Sequence, residues 1–250
     1  MKVSIITVSY NSASTIKDTI ESVIAQTYEN IEYIVVDGNS RDDTMDIVNS
    51  YSKVIDNVVS EPDKGIYDAM NKGVQLATGD IVGILNSDDF YETTTVIEDI
   101  VEHFNNNKSA DVVFGDVVFV EHKNLKKVVR YYSSKKFKPF KLRFGWMPPH
   151  PATFIRKSVY NKYGLYKLGY KISSDYEMFV RLLMVAKLSF SRVDKIIVRM
   201  RSGGASTDGI QSSITLNKEI VKACRENGIY TNLFIVLLKM PFKLLELIKR

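Results

Sequence analysis

Four short β-rich runs, Val3–Val8, Ile31–Val36, Ile55–Val59 and Ile81–Leu85, alternate in the first hundred residues with segments whose apolar positions recur at helical spacing. The helical segments carry Ile16, Ile20, Val23 and Ile24, then Met45, Val48 and Tyr51, then Val96, Ile97, Ile100, Val101 and Phe104. Apolar runs of this length, separated by amphipathic helices, form a mainly parallel sheet covered by helices. The chain has 250 residues. That length suits one such α/β core with a modest extension.

After residue 110 the rhythm changes to a long strand-like run at Asp111–Val120, a basic stretch, the Pro148-Pro149-His150-Pro151 segment and a further strand at Ala152–Arg156. Met178, Phe179, Leu182, Leu183 and Ala186 form one apolar stripe, which predicts a helix over Asp175–Ala186. The chain therefore divides into residues 1–110, residues 111–207 as an α+β half of the same domain, and residues 208–250 as a C-terminal helical extension. Within the last part, Asn232–Arg250 sets Leu233, Phe234, Ile235, Val236, Leu237 and Leu238 beside Lys239, Lys243, Lys249 and Arg250. The run is too short to span a bilayer. It suits an amphipathic helix lying on a membrane surface, or one docked on the protein or on a second copy.

The formal net charge of +5 favours anionic ligands or surfaces without choosing among them. The single cysteine, Cys224, can form no internal disulfide, and the first apolar run is broken by Ser4 and Thr7 and reads as a strand, not a leader. Both point to the cytoplasm, with the tail at the inner face of the membrane. The basic stretch with Tyr131, Tyr132 and Phe137 lies in no recognised nucleic-acid module, so nucleic acid is not expected as a partner.

Ligands of an open parallel sheet bind beyond the carboxyl ends of its strands. The first run is followed by Ser9, Tyr10 and Asn11, the second by Asp37, the third by Glu61 and Asp63, and the fourth by Asn86, Ser87, Asp88 and Asp89. Carboxylates gathered in one crevice repel one another unless a cation or a hydrogen-bonding ligand offsets them. Asp88 and Asp89 offer hard oxygen donors suited to Mg²⁺ or Mn²⁺ with positions left open for a diphosphate. Asp37 stands where acidic strand-end residues meet a ribose or base in nucleotide folds. Neither a G-x-G-x-x-G nor a Walker A pattern is present, which argues against dinucleotide oxidoreductases and P-loop NTPases.

Taken together, Ser4–Asn11, Val35-Val36-Asp37-Gly38, Ser40–Thr44, Glu61–Gly73 and Leu85-Asn86-Ser87-Asp88-Asp89 resemble the family-2 glycosyltransferases of GT-A fold, especially bacterial members that build surface polysaccharides. The resemblance is strong over residues 1–110 and looser to about residue 205. It implies a Rossmann-like GT-A domain that moves a sugar from a nucleotide-diphosphate donor, most often a UDP-sugar, to an acceptor hydroxyl with inversion. It further implies a divalent metal, Mg²⁺ or Mn²⁺, and a saccharide or lipid-linked saccharide acceptor.

Residue by residue, the resemblance assigns Thr7, Ser9, Asp37, Asp63, Gly65, Tyr67, Asn71 and Asp88 to the donor pocket, Asp89 with Asp88 to the metal, and Asp175 to the general base. It places His150 on the acceptor side, and Arg199, Arg201 and Ser206 at a loop over the diphosphate. Asp175 also precedes a helix, where an Asp commonly caps. The motif is Ser174-Asp175 where many relatives have Glu-Asp, and no late His supplies a further ligand. Two other readings stand beside this one. A sugar nucleotidyltransferase would need a Gly-rich basic loop after the first strand, where this chain has Ser9-Tyr10-Asn11-Ser12; a non-catalytic carbohydrate-binding protein would need neither Asp89 nor Asp175.

Overall fold

A computed structural model of the chain describes residues 1–203 and 209–238. Its core is a nine-stranded sheet whose main path runs β3-β2-β1-β4-β8-β6-β9-β5, with β7 added against β6. The strands are β1 (Val3–Ser9), β2 (Ile31–Asp37), β3 (Asn57–Ser60), β4 (Ile81–Ile84), β5 (Asp89–Tyr91), β6 (Val112–Glu121), β7 (Asn124–Tyr132), β8 (Thr153–Arg156) and β9 (Phe190–Arg201). β1, β2, β3 and β4 are parallel. β8 runs against both β4 and β6, and β6 is parallel to β9, so β6 and β9 share the direction of the first four. Only β5, β7 and β8 run the other way. The sheet is thus mostly parallel, and the carboxyl ends of β1 to β4, β6 and β9 open on one edge.

Helices α1 (Ile16–Ile24), α2 (Thr44–Ser50), α3 (Ile66–Leu76), α4 (Val96–Asn106), α5 (Lys157–Tyr163), α6 (Ser174–Phe179), α7 (Gly209–Glu226) and α8 (Leu233–Leu237) flank it. Side chains alternate across β1: Val3 and Ile5 pack with α1 and α4 residues such as Ile20 and Ile100, while Ile6 and Val8 pack with Met70 and Val74 of α3 and with α6 and α7 residues. Both faces are apolar and covered, which is why these strands read as unbroken runs in the sequence.

Several elements differ from the sequence expectation, α3, α5, β5 and β9 being additions to it. β3 begins at Asn57, because Ile55 is spent as a buried residue before the strand. The basic stretch contributes β7, a hairpin partner of β6 whose Val128 and Tyr131 stay exposed at the sheet margin. The expected helix over Asp175–Ala186 is α6 followed by a π-turn at Val180–Val185, closed by the Ala186 amide on the Arg181 carbonyl at 2.9 Å. Within that turn the Arg181 guanidinium reaches the carbonyls of Tyr163, Gly164 and Leu165 and the carboxylate of Glu177.

Candidate active site

Asp37 ends β2 with its carboxylate fully buried, and four protein donors surround it. Ser9 Oγ at 3.0 Å and Ser40 Oγ at 2.5 Å donate to Oδ1, and the Ser40 amide at 2.9 Å and Ser60 Oγ at 2.8 Å donate to Oδ2. Ser9 and Ser60 end β1 and β3, so one carboxylate ties three neighbouring strand ends together. Gly38 follows with Asp63 packed close over it: a Cβ there would lie 2.5 Å from Asp63 Oδ2 and 3.4 Å from the Tyr10 ring, so a side chain would displace the Asp63 carboxylate. Asp63 is held over that point by the Gly65 amide at 2.8 Å. Gly65 itself has φ +109°, a backbone only glycine adopts without strain, and this lets the chain turn into α3. Thr7 lies deeper than the sequence suggests. Its side chain is fully buried and its hydroxyl meets the Tyr33 hydroxyl at 3.1 Å, so it builds the floor under the strand ends.

The loop from β4 to β5 carries the acidic pair. Asp89 is 1% exposed, and its carboxylate receives a long hydrogen bond, 3.3 Å from Asn86 Nδ2, and one from the Arg201 backbone. Burial, and then the neighbouring Asp88 charge, push the Asp89 carboxyl well above the usual carboxylate range; burial also raises Asp88. The amide oxygen of Asn86 is buried with no hydrogen-bond donor among the described residues. Two carboxylates held at a cost in desolvation beside an orphan amide oxygen make a donor set that fits a hard divalent cation. No group of three or more His, Cys, Asp or Glu side chains gathers to hold a metal among the described residues. Such an ion would thus keep positions for ligands from elsewhere.

Arg199 and Arg201 support this loop from β9. Arg199 grips Glu92 through both nitrogens, at 2.6 and 2.9 Å, and the Leu125 carbonyl at 3.0 Å. Arg201 is 6% exposed, pairs with Asp18, and donates to the Asp88 carbonyl at 2.6 Å. Both lie on β9 and are bonded to protein partners there. Ser206 lies outside the described residues.

Asp175 sits in the first turn of α6, half-buried, with Oδ1 accepting from the Tyr67 hydroxyl at 3.1 Å and the Tyr176 amide at 2.8 Å. Oδ2 has no protein donor among the described residues. Burial raises the Asp175 carboxyl above its ordinary value, against the pull of the nearby His150 ring, the Tyr176 amide and the Tyr67 hydroxyl. Burial, and then the Asp175 charge, hold Tyr67 well above the usual phenol value, so Tyr67 remains the donor. Behind them Tyr67 stacks on Tyr166 at 5.9 Å between centroids, and the Tyr166 hydroxyl meets His150 Nε2 at 2.8 Å. His150 is buried and touches Tyr166, with no hydrogen bond to Asp175. Asn71 is likewise a brace, bonding both backbone groups of Tyr166 at 2.8 and 2.9 Å.

The sequence reading gave no role to Tyr166, Asn86 or Ser60. Asn86 and Ser60 were visible as strand-end polar residues; nothing in the sequence singles out Tyr166, whose neighbours come from α3, α5 and the segment before β8.

With Tyr67→Phe the carboxylate of Asp175 loses a donor that favours its charged form, so its pKa rises further. A reaction in which Asp175 took up a proton would need it ionised and would lose activity as pH falls through its pKa. The acid limb of kcat/KM should therefore move to higher pH by about one unit, the worth of one hydrogen bond to a charged group. A limb that stays in place or moves down would show that Tyr67 does not tune Asp175.

The model of Glycosyl transferase family 2 matches residues 4–164. A PGL/p-HBAD biosynthesis glycosyltransferase of Mycobacterium bovis is 30% identical over 182 residues, covering 71% of this chain and 68% of its own. The Escherichia coli UDP-Glc:alpha-D-GlcNAc-diphosphoundecaprenol beta-1,3-glucosyltransferase WfaP is 30% identical over 192 residues, covering 72% and 70%. Among solved structures, S. aureus TarS 1-349 in complex with UDP-GlcNAc superposes with a TM-score of 0.69 at 18% identity, over 89% of this chain and 66% of that one, just under two thirds of its length. The mannosyltransferase PcManGT from Pyrobaculum calidifontis, in complex with GDP-Man and Mn²⁺, gives 0.66 at 16% identity over 99% and 73%. The motifs at the strand ends, the sheet that positions them and these likenesses agree: the chain belongs to glycosyl transferase family 2, an enzyme family, and has the GT-A fold.

Proposed function

We propose that the chain transfers a sugar from a UDP-sugar to a hydroxyl of a lipid-linked saccharide, with inversion, in the assembly of a surface polysaccharide. The observation that carries this reading is Asp175. One carboxylate oxygen accepts from Tyr67 and the Tyr176 amide, and burial keeps the group basic. A sugar hydroxyl is a weak nucleophile, and a carboxylate in hydrogen-bond reach takes its proton as the new bond forms. In a single displacement the acceptor oxygen bonds to the anomeric carbon, Asp175 Oδ2 receives the proton, and the bond to the diphosphate breaks with its electron pair leaving on oxygen. One base serves that chemistry, and the product is inverted.

The uridine would lie at Asp37, Asp63 and Gly38. A ribose hydroxyl would reach Asp37 by displacing one of the Ser9, Ser40 and Ser60 hydroxyls, with the Ser40 amide keeping the carboxylate in place. Asp89, Asp88 and the Asn86 amide oxygen would hold Mg²⁺ or Mn²⁺, which when bound neutralises charge on the departing diphosphate. The names of WfaP and of the TarS complex support UDP and a lipid-diphosphate acceptor. The test is a panel of nucleotide sugars offered with Mg²⁺ or Mn²⁺ and diphosphate-linked acceptors. UDP release that requires both metal and acceptor is expected; release from no UDP-sugar overturns the donor assignment.

The tail supports a peripheral membrane contact. Val236 of α8 is fully buried, docking the helix against α7 and the single turn at Pro139–Phe144, whereas Phe234 is 73% and Tyr230 72% exposed, with Leu233, Leu237 and Leu238 exposed beside them. Among the described residues no helix is long and apolar enough to cross a membrane. Residues 239–250, which carry the basic end of the expected amphipathic helix, lie outside the described residues. Phe234→Ser should weaken binding to anionic vesicles about tenfold or more, the worth of one buried aromatic side chain. Equal cosedimentation of both proteins would remove the membrane from the proposal.

A further inference from the structure

Glu177 stands two residues beyond Asp175 on α6, and its carboxylate is fully buried. Oε2 accepts from Arg181 Nη2 at 3.1 Å, and Oε1 accepts from Asn227 Nδ2 at 3.0 Å and lies 3.1 Å from Lys167 Nζ. Burial works against its charge, but the donors from Arg181, Asn227 and Lys167 outweigh it and hold the carboxyl below the usual carboxylate range. Arg181 spends its whole fork on this corner of the molecule. Nε and Nη2 bond Glu177, Nη2 also reaches the Leu165 carbonyl at 2.8 Å, and Nη1 bonds the carbonyls of Tyr163 and Gly164. A planar guanidinium with its donors in fixed directions can serve one carboxylate and three consecutive carbonyls; an ammonium cannot. Gly164, the middle of the three, has φ +88°, a backbone that favours glycine.

The residue after those carbonyls is Tyr166. Asn71 of α3 holds both its backbone groups, its ring stacks on Tyr67, and the Tyr67 hydroxyl donates to Asp175 Oδ1. Lys167, next in the chain, returns to α6 twice, through its ammonium to Glu177 and through its carbonyl, which accepts from Ser174 Oγ at 2.7 Å. The contacts close a circuit. It runs from Asp175 through Tyr67 and Tyr166 to the loop at 163–167, and back through Arg181 to Glu177 on the helix where it began. A buried ion pair is a poor source of net stability, because desolvation of both charges offsets their attraction. Here the pair fixes direction, since one rigid fork sets where three carbonyls, and the ring that follows them, must lie.

We propose that Glu177 and Arg181 are positioning residues for sugar transfer, setting the loop at 163–167 so that Tyr166 holds the Tyr67 ring where its hydroxyl orients the Asp175 carboxylate. This rests on the reading of Asp175 as base. Both residues act through Tyr166 and Tyr67, not on the substrate.

The test is a double-mutant cycle between Arg181→Lys and Tyr67→Phe, read as kcat with the donor and acceptor that the panel above selects. Arg181→Lys keeps a cation beside Glu177 but loses the fork. It should lower kcat about tenfold or more, as small misplacements of reacting groups do, while UDP affinity stays within about twofold. In the Tyr67→Phe background the same substitution should cost less than about twofold, because the hydroxyl it misdirects is already gone. Equal losses in the two backgrounds, or an unchanged kcat, overturn the proposal. Without any substrate, exchange of the Tyr166 amide hydrogen should quicken about tenfold in Arg181→Lys, and unchanged protection also overturns it. Glu177→Leu/Arg181→Met guards against a variant that fails to fold, since it removes both charges together and leaves no buried ion without its partner. It should melt near the parent and lose kcat to the same extent as Arg181→Lys; a parent-like kcat would reduce the pair to packing. Turnover retained by Asp175→Asn would remove the base reading whatever the cycle gave, whereas turnover lost there but kept by Arg181→Lys would remove the positioning role alone.

Discussion

Asp175→Asn should lower kcat about a thousandfold or more, within the range that positioned general bases supply, while donor affinity stays within about twofold. Asparagine keeps the shape and can still accept from Tyr67 through its amide oxygen, so the fold and the stacked Tyr67–Tyr166 pair are preserved. What is lost is a group able to take a proton. The measurement is single-turnover transfer together with titration of UDP, which separates chemistry from binding. Retained turnover would return Asp175 to a capping role, and weakened UDP binding would place it in the donor pocket instead.

Asp89→Ala is expected to reduce kcat/KM roughly a thousandfold, several kcal/mol of stabilisation of the leaving diphosphate. The loss should be insensitive to added Mg²⁺ or Mn²⁺. Asp89 is nearly inaccessible, its side-chain hydrogen bond from Asn86 is long, and its surroundings disfavour it as an anion. Removing it relieves repulsion with Asp88, so the variant should melt no lower than the parent. Higher thermal stability with lost activity would mark a residue kept for function at a structural cost. A variant that keeps activity in EDTA would show that the acidic pair serves no metal.

Much of the fold of the first hundred residues was legible because its physics is local. Strands buried on both faces appear as continuous apolar runs, and polar residues immediately after them must lie at the sheet edge, which located Ser9, Asp37, Asp63, Asp88 and Asp89 without knowledge of contacts. The remainder depended on partners distant in the chain. β5 has only three residues, Asp89–Tyr91, and exists because β9 pairs with it. Arg199 and Arg201 looked free beside Gly203 and Gly204, yet their carboxylate partners, Glu92 and Asp18, are 107 and 183 residues away. His150 reads as a loop residue between prolines, and only the fold buries it against Tyr166. The π-turn after α6 leaves no trace in the apolar stripe, because one extra residue per turn shifts the pattern less than the scatter among Leu and Val.

The tie from Arg201 to the Asp88 carbonyl and to Asp18 also bears on how the chain acquires its site during synthesis. β1 to β4 can pair as soon as they emerge, but β5 has no partner until β9 has been made, and the Asp88 carbonyl has no guanidinium until residue 201 has left the ribosome. A nascent chain halted near residue 164 would therefore have its parallel strands but a slack acidic loop. The two carboxylates can then remain solvated through most of translation. Their desolvation is deferred to one late step, when the closing strand contributes enough packing to offset it.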